Sequence, residues 1–165
     1  MVPRIEAATI VENREMRRQQ LIDAALSLAI SKGVESVTVT AVARKAGLSR
    51  SAIYEYFSSS ADLIADLILD ELELYTNRLT RAVDVTRDPF TQIEQWITEA
   101  LKYIADGRHL LVKSLNSIAT PEFRKEEVAM GHRRIMNTIL KPLKQIGFVN
   151  LGSAAAYLQS AVDAA

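Results

Sequence analysis

The chain has 165 residues, of which 48% are hydrophobic and 24% are charged, with 20 Lys and Arg balanced by 20 Asp and Glu. These values suit one globular domain, or a small module joined to a larger one, and exclude a disordered polyelectrolyte. The sequence contains no Cys, which excludes a disulfide scaffold, a thiolate zinc site and a thiol nucleophile and suits a reducing cytoplasm. Every apolar stretch is shorter than the ~18 residues of a membrane span, so we expect a soluble cytoplasmic protein with no membrane partner.

The zero net charge conceals an uneven distribution of charge along the chain. Residues 1–60 contain eight basic and six acidic side chains, a net charge of +2, and the remaining residues contain 12 basic and 14 acidic side chains, a net charge of −2. Three cations and no anion fall between Arg44 and Arg50, whereas five acidic residues and no cation fall between Asp62 and Glu73. We interpret the acidic run as a solvated helix face. Overall neutrality therefore does not exclude a nucleic-acid partner.

The hydrophobic periodicity predicts an all-α fold. Apolar residues recur at three- and four-residue spacing over a first helix at 14–31. Thr38 or Thr40 would cap a short second helix, and Ser49 would cap a third. The serines at 58–60 would end the third helix and cap a long fourth one, whose acidic residues lie near its start, where the helix dipole favours them.

The second half of the chain continues the helical pattern. Asp88-Pro89 would cap and begin a fifth helix, and Thr120-Pro121 would do the same for a later helix. Pro142 should kink this later helix or end it early, because proline lacks an N–H and its ring clashes with the preceding turn. Small residues from Ala154 onward begin a last helix, within which the chain ends.

The segment from Thr38 to Phe57 has the layout of a helix-turn-helix motif, in which Gly47-Leu48-Ser49 forms the turn. The small Ala43 and Ala46 would let the second helix pass close to the third. Gly47 accepts the positive φ of the turn, and its neighbour Leu48 fills the core below. The third helix would then present its exposed face to a DNA major groove. Four residues form this face: Arg50, Ser51, Ala52 and Glu55.

A longer pattern extends this motif in both directions. Its elements are Arg18-x-x-Leu21-Ile22-x-Ala24-Ala25, Gly33, Thr38-Val39, Val42-Ala43-x-x-Ala46-Gly47-Leu48-Ser49, Ile53-Tyr54-x-Tyr56-Phe57 and Leu63. The pattern resembles the TetR family of bacterial transcriptional regulators over about residues 14–66.

The resemblance implies two domains: a helix-turn-helix DNA-binding domain at 1–60, whose residues 1–13 would form a flexible arm, and a helical ligand-binding and dimerisation domain at 61–165. It implies a homodimer that binds a palindromic double-stranded DNA operator and releases it when a small apolar or amphipathic effector binds. We therefore expect a ligand-responsive transcriptional repressor, although the sequence leaves activation open.

The resemblance and the motif together define a set of DNA-contacting positions. They are Arg18, Thr38, Arg44, Lys45, Ser49, Arg50, Ser51, Ala52, Tyr54, Glu55, Tyr56 and Ser60. The resemblance places Arg18, Thr38 and Tyr54 near phosphates and gives Tyr56 a backbone or packing contact. Arg50 could pair with guanine O6 and N7, and Glu55 could accept from cytosine N4.

Several of these positions fit a structural role equally well. Tyr54 could pack in the core instead of contacting a phosphate, and Ala52 could be a small spacing residue instead of a contact to a thymine methyl. Arg44 and Lys45 could face solvent without contacting DNA. The TetR family usually has Lys where this chain has Ser60. A serine hydroxyl can cap a helix and donate to a phosphate but carries no charge, so we expect a salt dependence weaker by roughly one counterion per subunit.

The composition of the second domain suggests a ligand pocket among its helices. Its candidate lining residues are Trp96, Tyr103, Leu111, Phe123, Met130 and Met136. Each also fits an ordinary helical core, because aromatic and Met residues at helical spacing usually pack inside. Asn116, His109 or Arg133 would supply polar contacts.

No catalytic, metal-binding or cofactor-binding pattern is present in the sequence. His109 and His132 fall in different predicted helices without a second ligand at i+3 or i+4, and we expect no enzyme activity, no metal and no cofactor. Two rival hypotheses remain: a helical sensor or interaction module of the same fold without sequence-specific DNA binding, and a small helical enzyme.

The sequence also bears on dimerisation. In the TetR family two C-terminal helices of each subunit usually form the dimer interface, and this chain ends inside the first of them. We expect either a truncated domain or a smaller Ala-rich dimer surface around Tyr157, Leu158 and Ala161.

Overall fold

A computed structural model describes residues 4–164 of the chain, and the side chains of residues 11–164. This part of the chain is helical and contains no β-strand. The α-helices are α1 (Arg4–Lys32), α2 (Val39–Lys45), α3 (Arg50–Ile53), α4 (Ser60–Ala82), α5 (Pro89–Ala105), α6 (Arg108–Leu115), α7 (Lys125–Gln145) and α8 (Leu151–Asp163). Short 3₁₀ turns occupy Val34–Ser36 and Glu122–Arg124. The all-α prediction is confirmed.

The chain divides into two compact units. The first, which we call the head, comprises the chain up to Leu67 together with Ile118–Pro121. The second, which we call the bundle, comprises Ile68–Ser117 and the chain from Glu122 onward. The division falls within α4, and the domain boundary that we place between residues 60 and 61 stays a prediction.

The head has a core of apolar side chains from each of its four helices. Leu21 and Ile22 of α1, Val42 of α2, Ile53 of α3 and Leu63 of α4 are each at most 2% exposed. The three- and four-residue spacing on α1 therefore corresponds to its buried face.

The first helix is longer than its apolar pattern predicts. It begins at Arg4 rather than Arg14, so residues 4–13, which we expected to form a flexible arm, are helical. Residues 1–3 lie outside the described part of the chain. The ten added residues include good helix formers such as Glu6 and Ala7, but they carry no apolar periodicity, which is why the sequence analysis missed them.

The acidic run at the start of α4 is not a solvated face. Asp62 and Asp66 in the head, and Glu71 in the bundle, are 6%, 4% and 3% exposed. Each carboxylate is compensated: Asp62 by Ser58, Asp66 by Arg18 and Glu71 by Arg108. Buried carboxylates require such partners. The partners of Asp66 and Glu71 lie 48 and 37 residues away, so they cannot be deduced from charge spacing.

The bundle is built around α5, α7 and α8. Trp96 of α5 is fully buried, and its indole Nε1 donates a hydrogen bond of 2.8 Å to Thr138 Oγ1 of α7. Gly131 of α7 lets Leu72 of α4 approach closely, because a Cβ at position 131 would lie 2.8 Å from Leu72 Cδ1. These contacts join α4, α5 and α7 within the bundle.

The predicted start of α7 is wrong, and one of the two effects predicted for Pro142 does not occur. The helix starts at Lys125, after the 3₁₀ turn, and not at Thr120-Pro121. It then continues through Pro142, which is buried, and ends only at Gln145. The proline therefore does not end the helix early, and the alternative effect, a kink at Pro142, stays a prediction.

Candidate nucleic-acid interface and ligand cavity

The start of α2 is fixed by two hydroxyl groups. Thr38 Oγ1 accepts a hydrogen bond of 3.2 Å from the Ala41 N–H, and Ser60 Oγ accepts one of 3.0 Å from the Val39 N–H. Side chains that accept from the first free N–H groups of a helix stabilise its beginning. Both hydroxyls therefore have a structural role, and the Thr38 side chain is also exposed.

The turn between α2 and α3 is a Schellman motif. The Leu48 N–H donates to the Ala43 carbonyl at 2.9 Å, and the Gly47 N–H donates to the Arg44 carbonyl at 3.3 Å. Gly47 has φ 70°, the left-handed conformation that glycine adopts without steric cost. The glycine in the sequence pattern therefore explains why the chain turns at this position.

α3 is a short helix of four residues, Arg50–Ile53. Ser49 caps it by accepting a hydrogen bond of 3.1 Å from the Ala52 N–H. The N–H groups of Tyr54, Glu55 and Tyr56 then bond to carbonyls three residues earlier, which tightens the chain into turns. Ile53 and Phe57, at 0% and 1% exposure, attach this segment to the head core.

The outward face of this segment carries most of the predicted DNA contacts. Arg50, Ser51 and Glu55 are exposed, Ala52 is half-buried, and Tyr54 is 48% exposed. The Ser49 and Ser51 hydroxyls lie 2.9 Å apart. This face therefore presents a cation, hydroxyls, a phenol and a carboxylate next to one another.

Tyr56 lies beside this face and contacts the first helix. The Arg14 guanidinium carbon lies 5.9 Å from the centre of the half-buried Tyr56 ring, a cation–π distance. The same guanidinium lies 3.4 Å from the carbonyl oxygen of Glu55. Arg14 thus stabilises the turn after α3, a role that no pattern in the sequence indicates.

Two further predicted DNA contacts have structural partners. Arg18 donates to the buried Asp66 carboxylate of α4 at 2.5 Å and to Glu15 at 3.3 Å. Ser60 does not cap α4, because the Ser59 hydroxyl accepts from the Asp62 N–H at 3.1 Å and takes that position. Contacts of Arg18 and Ser60 with DNA remain predictions.

The remaining cations of the interface are at the end of α2. Arg44 and Lys45 occupy its last turn and are exposed. Cations at this position also interact favourably with the helix dipole. Their role towards DNA therefore stays a prediction.

The bundle encloses a cavity of about 600 Å³, a size typical of small-molecule sites. Of the six predicted ligand residues, Tyr103 and Met136 line it. Met130 lies on a second, smaller cavity of about 350 Å³. All three proposed polar contacts line the large cavity: His109, Asn116 and Arg133.

The other three predicted ligand residues lie away from the two cavities. Trp96 is fully buried in the bundle core, and Phe123 is 69% exposed. Leu111 is half-buried and does not line either cavity. Composition alone does not distinguish core or surface residues from cavity wall.

Several further residues line the large cavity and were not among the predicted ligand residues. They are Leu72, Tyr75, Val112, Lys113, His132, Ile135, Gln159 and Asp163. Their spacing offers a signal only in retrospect: Leu72 and Tyr75 lie three positions apart on α4, and Gln159 and Asp163 lie four apart on α8.

Burial sets the protonation of the aromatic groups in this cavity. The rings of Tyr75 and Tyr103 stack with centres 4.1 Å apart. Burial raises the pKa of Tyr75 to about 12 and raises that of Tyr103 as well. Partial burial lowers the pKa of His132. The phenols and this imidazole are therefore neutral near pH 7, and among the described residues no group of His, Asp and Glu is arranged to hold a metal ion.

The head is a helix-turn-helix fold of the kind that binds DNA through its third helix. Residues 21–67 match the family model described as "Bacterial regulatory proteins, tetR family". This segment is therefore similar to the N-terminal domain of the TetR family, and the resemblance predicted from the sequence is confirmed.

Curated relatives match the chain most strongly in its first part. It is 32% identical over 119 residues to the "Probable acrEF/envCD operon repressor" of Escherichia coli strain K12, which covers 69% of this chain and 52% of that protein. It is 32% identical over 80 residues to the transcriptional repressor KstR of Rhodococcus jostii, which covers 45% of this chain and 38% of that protein. The chain thus spans about half the length, or less, of these relatives.

Solved structures resemble the chain over most of its length. The fatty acid degradation regulator FadR from Bacillus halodurans has a TM-score of 0.69 at 20% identity, covering 89% of this chain and 80% of that one. A TetR/AcrR-family regulator from Thermobifida fusca has a TM-score of 0.66 at 24% identity, covering 89% and 82%. These likenesses confirm the fold, a helix-turn-helix head with a helical bundle. No helix of the described chain is long and apolar enough to cross a lipid bilayer.

Proposed function

We propose that this chain is a ligand-responsive transcriptional repressor that binds a palindromic DNA operator as a homodimer and is released by a small molecule. The observation that carries the proposal is the exposed polar face of Arg50–Glu55. The turn before α3 and the Ser49 cap position this face, and the buried Ile53 side chain attaches it to the head core. The names of the curated relatives, which include an operon repressor, support repression rather than activation.

In this proposal the face of α3 enters the major groove. Arg50 pairs with guanine and Glu55 accepts from cytosine, because these side chains match the donor and acceptor edges of those bases. Ser49, Ser51, Thr38 and Tyr54 donate to phosphates, which fixes the register but not the sequence.

Arg44, Lys45 and Arg18 add positive charge beside the backbone. Their contribution is independent of DNA sequence and depends on salt concentration. Arg18 also orients Asp66, so its substitution would affect folding as well as binding.

Dimerisation explains why the operator would be palindromic. Two identical heads related by a two-fold axis contact two half-sites about one helical turn, ~34 Å, apart. A change in their separation removes one head from its groove, so a small displacement is enough to release DNA.

The cavity provides the effector site. α4 supplies Leu72 and Tyr75 to its wall, and the same helix supplies Leu63 to the core of the head. An effector that moves α4 would therefore change the spacing of the two heads.

Selection of bound sequences from random double-stranded DNA tests this function. We expect an enriched palindrome with half-sites about 10 base pairs apart. If no palindrome is enriched, the rival hypothesis of a sensor or interaction module without sequence-specific DNA binding is supported instead.

The selected operator then tests the assignment of the face. Arg50→Ala should weaken binding by about 1–3 kcal/mol and relax the preference at one base pair. Tyr54→Phe should weaken binding to all sequences similarly. Arg87→Ala, in the exposed loop between α4 and α5, is the matched control and should change neither. If the Arg50→Ala and Tyr54→Phe pair binds the operator with unchanged affinity, the face of α3 does not contact DNA.

A further inference from the structure

Two polar atoms in the wall of the large cavity are buried without a partner. The Tyr75 hydroxyl and the Gln159 side-chain carbonyl oxygen have no hydrogen bond to any residue that the structure describes. Tyr75 is 6% exposed, so its hydroxyl is almost entirely withdrawn from solvent. A buried polar atom without a partner is unfavourable, and both residues face the same cavity.

The orientation of the Gln159 amide is fixed by its neighbour. Gln159 Nε2 donates a hydrogen bond of 2.6 Å to Asp163 Oδ1. A carboxylate only accepts hydrogen bonds, so the NH₂ group must point to Asp163 and the carbonyl oxygen must point elsewhere. The cavity wall therefore presents an acceptor at Gln159 that requires a donor.

The Tyr75 hydroxyl can donate as well as accept. Burial raises the pKa of this phenol to about 12, although the nearby Gln159 amide acts in the opposite direction. The group therefore keeps its proton near pH 7. Tyr75 and Gln159 both line the same cavity.

We infer that the cavity binds a neutral hydroxylated apolar molecule, whose hydroxyl donates to Gln159 Oε1 and accepts from the Tyr75 hydroxyl. This inference rests on the proposed function and specifies the chemical class of its effector. A hydroxyl is the small group that donates and accepts through one oxygen atom, so it satisfies both wall atoms at once.

The rest of the wall suits the body of such a molecule. Leu72, Val112, Ile135 and Met136 supply apolar surface, and the stacked Tyr75 and Tyr103 rings supply a flat aromatic wall. Arg133, which also lines the cavity, donates to Glu126 at 2.5 Å. That ion pair compensates its charge.

Other ligand classes satisfy the wall less well. A carboxylate has no donor for Gln159 Oε1, even though Lys113 would attract its charge. An ammonium ion has donors for Gln159 Oε1, and Asp163 would attract its charge, but it cannot accept a hydrogen bond from the Tyr75 hydroxyl. Of these three groups, the hydroxyl therefore best matches the two unpaired atoms of the cavity wall.

Three probes with the same propylbenzene body test the inference on the whole chain without DNA. They are 4-propylphenol, propylbenzene and 4-propylbenzoate, and their affinities can be measured by isothermal titration calorimetry at pH 7. We expect 4-propylphenol to bind about 10- to 100-fold more tightly than propylbenzene, because the hydroxyl pairs two atoms that are otherwise unsatisfied. Equal affinity for these two probes, or tightest binding of 4-propylbenzoate, would overturn the inference.

Two substitutions test where the hydroxyl of 4-propylphenol binds in the cavity. Tyr75→Phe and Gln159→Met keep the volume of the wall and remove one partner each. Each substitution should weaken the binding of 4-propylphenol about 5- to 50-fold and change the affinity for propylbenzene by less than about twofold. Gln145→Met, at the exposed end of α7, is the control and should alter neither affinity. A phenol preference that both cavity variants retain in full would place the hydroxyl elsewhere and overturn the assignment.

The design separates this inference from the proposed function. The comparison of the three probes needs no substitution, so it gives a result even if a variant fails to fold. Operator binding without a phenol preference would refute the effector class alone. A phenol preference without operator binding would leave the cavity chemistry standing and refute the repressor.

Discussion

The helix starts of the head and the core of the bundle fix their polar side chains over different distances in the sequence. In the head, Thr38, Ser49 and Ser59 each accept from an N–H three residues later. In the bundle, Arg108 reaches Glu71 from 37 residues away and Trp96 reaches Thr138 from 42. The helix starts of the head are therefore fixed by local capping, whereas these bundle contacts depend on tertiary packing. The head also has long-range contacts, of Arg18 with Asp66 and of Arg14 with Glu55.

This difference predicts how each unit responds to substitution. Removing a cap leaves backbone groups that water can reach, so the cost is small and the function of the surface can change without unfolding. Removing a buried ion-pair partner leaves a charge that water cannot reach, so the cost is large. The following substitutions test that contrast, beginning with the largest expected effect.

Arg108→Ala should destabilise the bundle most. Its guanidinium makes two hydrogen bonds to Glu71, at 2.7 and 3.0 Å, and the Glu71 side chain is 4% exposed. Stranding this carboxylate should lower the free energy of unfolding by about 3 kcal/mol, as measured by urea denaturation followed by circular dichroism.

Two control variants sharpen this result. Arg81→Ala removes an exposed cation from α4 and should change the free energy of unfolding by less than about 0.5 kcal/mol. A double variant, Glu71→Leu with Arg108→Leu, should recover most of the loss because no buried charge remains. If Arg108→Ala behaves like Arg81→Ala, the bundle does not depend on this distant pair.

A pair of glycines compares the two units directly. Gly47 in the head and Gly107 in the bundle have φ of 70° and 76°, and a Cβ would meet no atom within 4 Å at either position. Alanine at each should therefore lower the free energy of unfolding by a similar amount, about 1–2 kcal/mol from the left-handed backbone alone.

Operator affinity distinguishes the two glycine variants. Gly47→Ala should weaken DNA binding in addition, because Gly47 sets the turn before α3. Gly107→Ala should leave operator affinity unchanged. Equal losses of operator affinity would mean that the turn geometry of the head has no special role.

The same contrast explains what could be predicted from the sequence. The caps at Thr38 and Ser49 and the turn at Gly47 depend on residues within a few positions of one another, so the pattern alone indicated them. Of the serines at 58–60 that we expected to cap α4, Ser59 does so, whereas Ser60 bonds to Val39 across 21 positions.

The cavity could be anticipated only in part. Tyr103 and Met136 line it, but Trp96 with the same apolar character lies in the core, and Phe123 lies at the surface. Hydrophobicity and helical spacing do not determine which neighbouring helix a side chain contacts. The burial of Asp66 and Glu71 escaped prediction for the same reason, since their partners Arg18 and Arg108 belong to other helices.

Ser49 allows the capping role to be separated from the DNA contact. Ser49→Ala should lower the free energy of unfolding by about 1 kcal/mol and also weaken operator binding. Ser49→Asp should restore stability, because Asp caps as well as Ser, yet bind the operator more weakly than Ser49→Ala because its carboxylate repels phosphate. Thermal melts and gel shifts measure the two effects. An Asp variant that recovers both stability and affinity would show that Ser49 only caps α3.

Lys45 gives the smallest expected effect and concerns the surface alone. It lies exposed in the last turn of α2, as Lys144 does in the last turn of α7, so either change to alanine should alter the free energy of unfolding by less than about 0.5 kcal/mol. If Lys45 neutralises a phosphate, Lys45→Ala reduces the slope of log affinity against log salt by about 0.9 per subunit. Lys144→Ala should leave that slope unchanged, since α7 belongs to the bundle. A Lys45 variant with the slope of the unsubstituted chain would assign this cation to the helix dipole and solvent rather than to a phosphate.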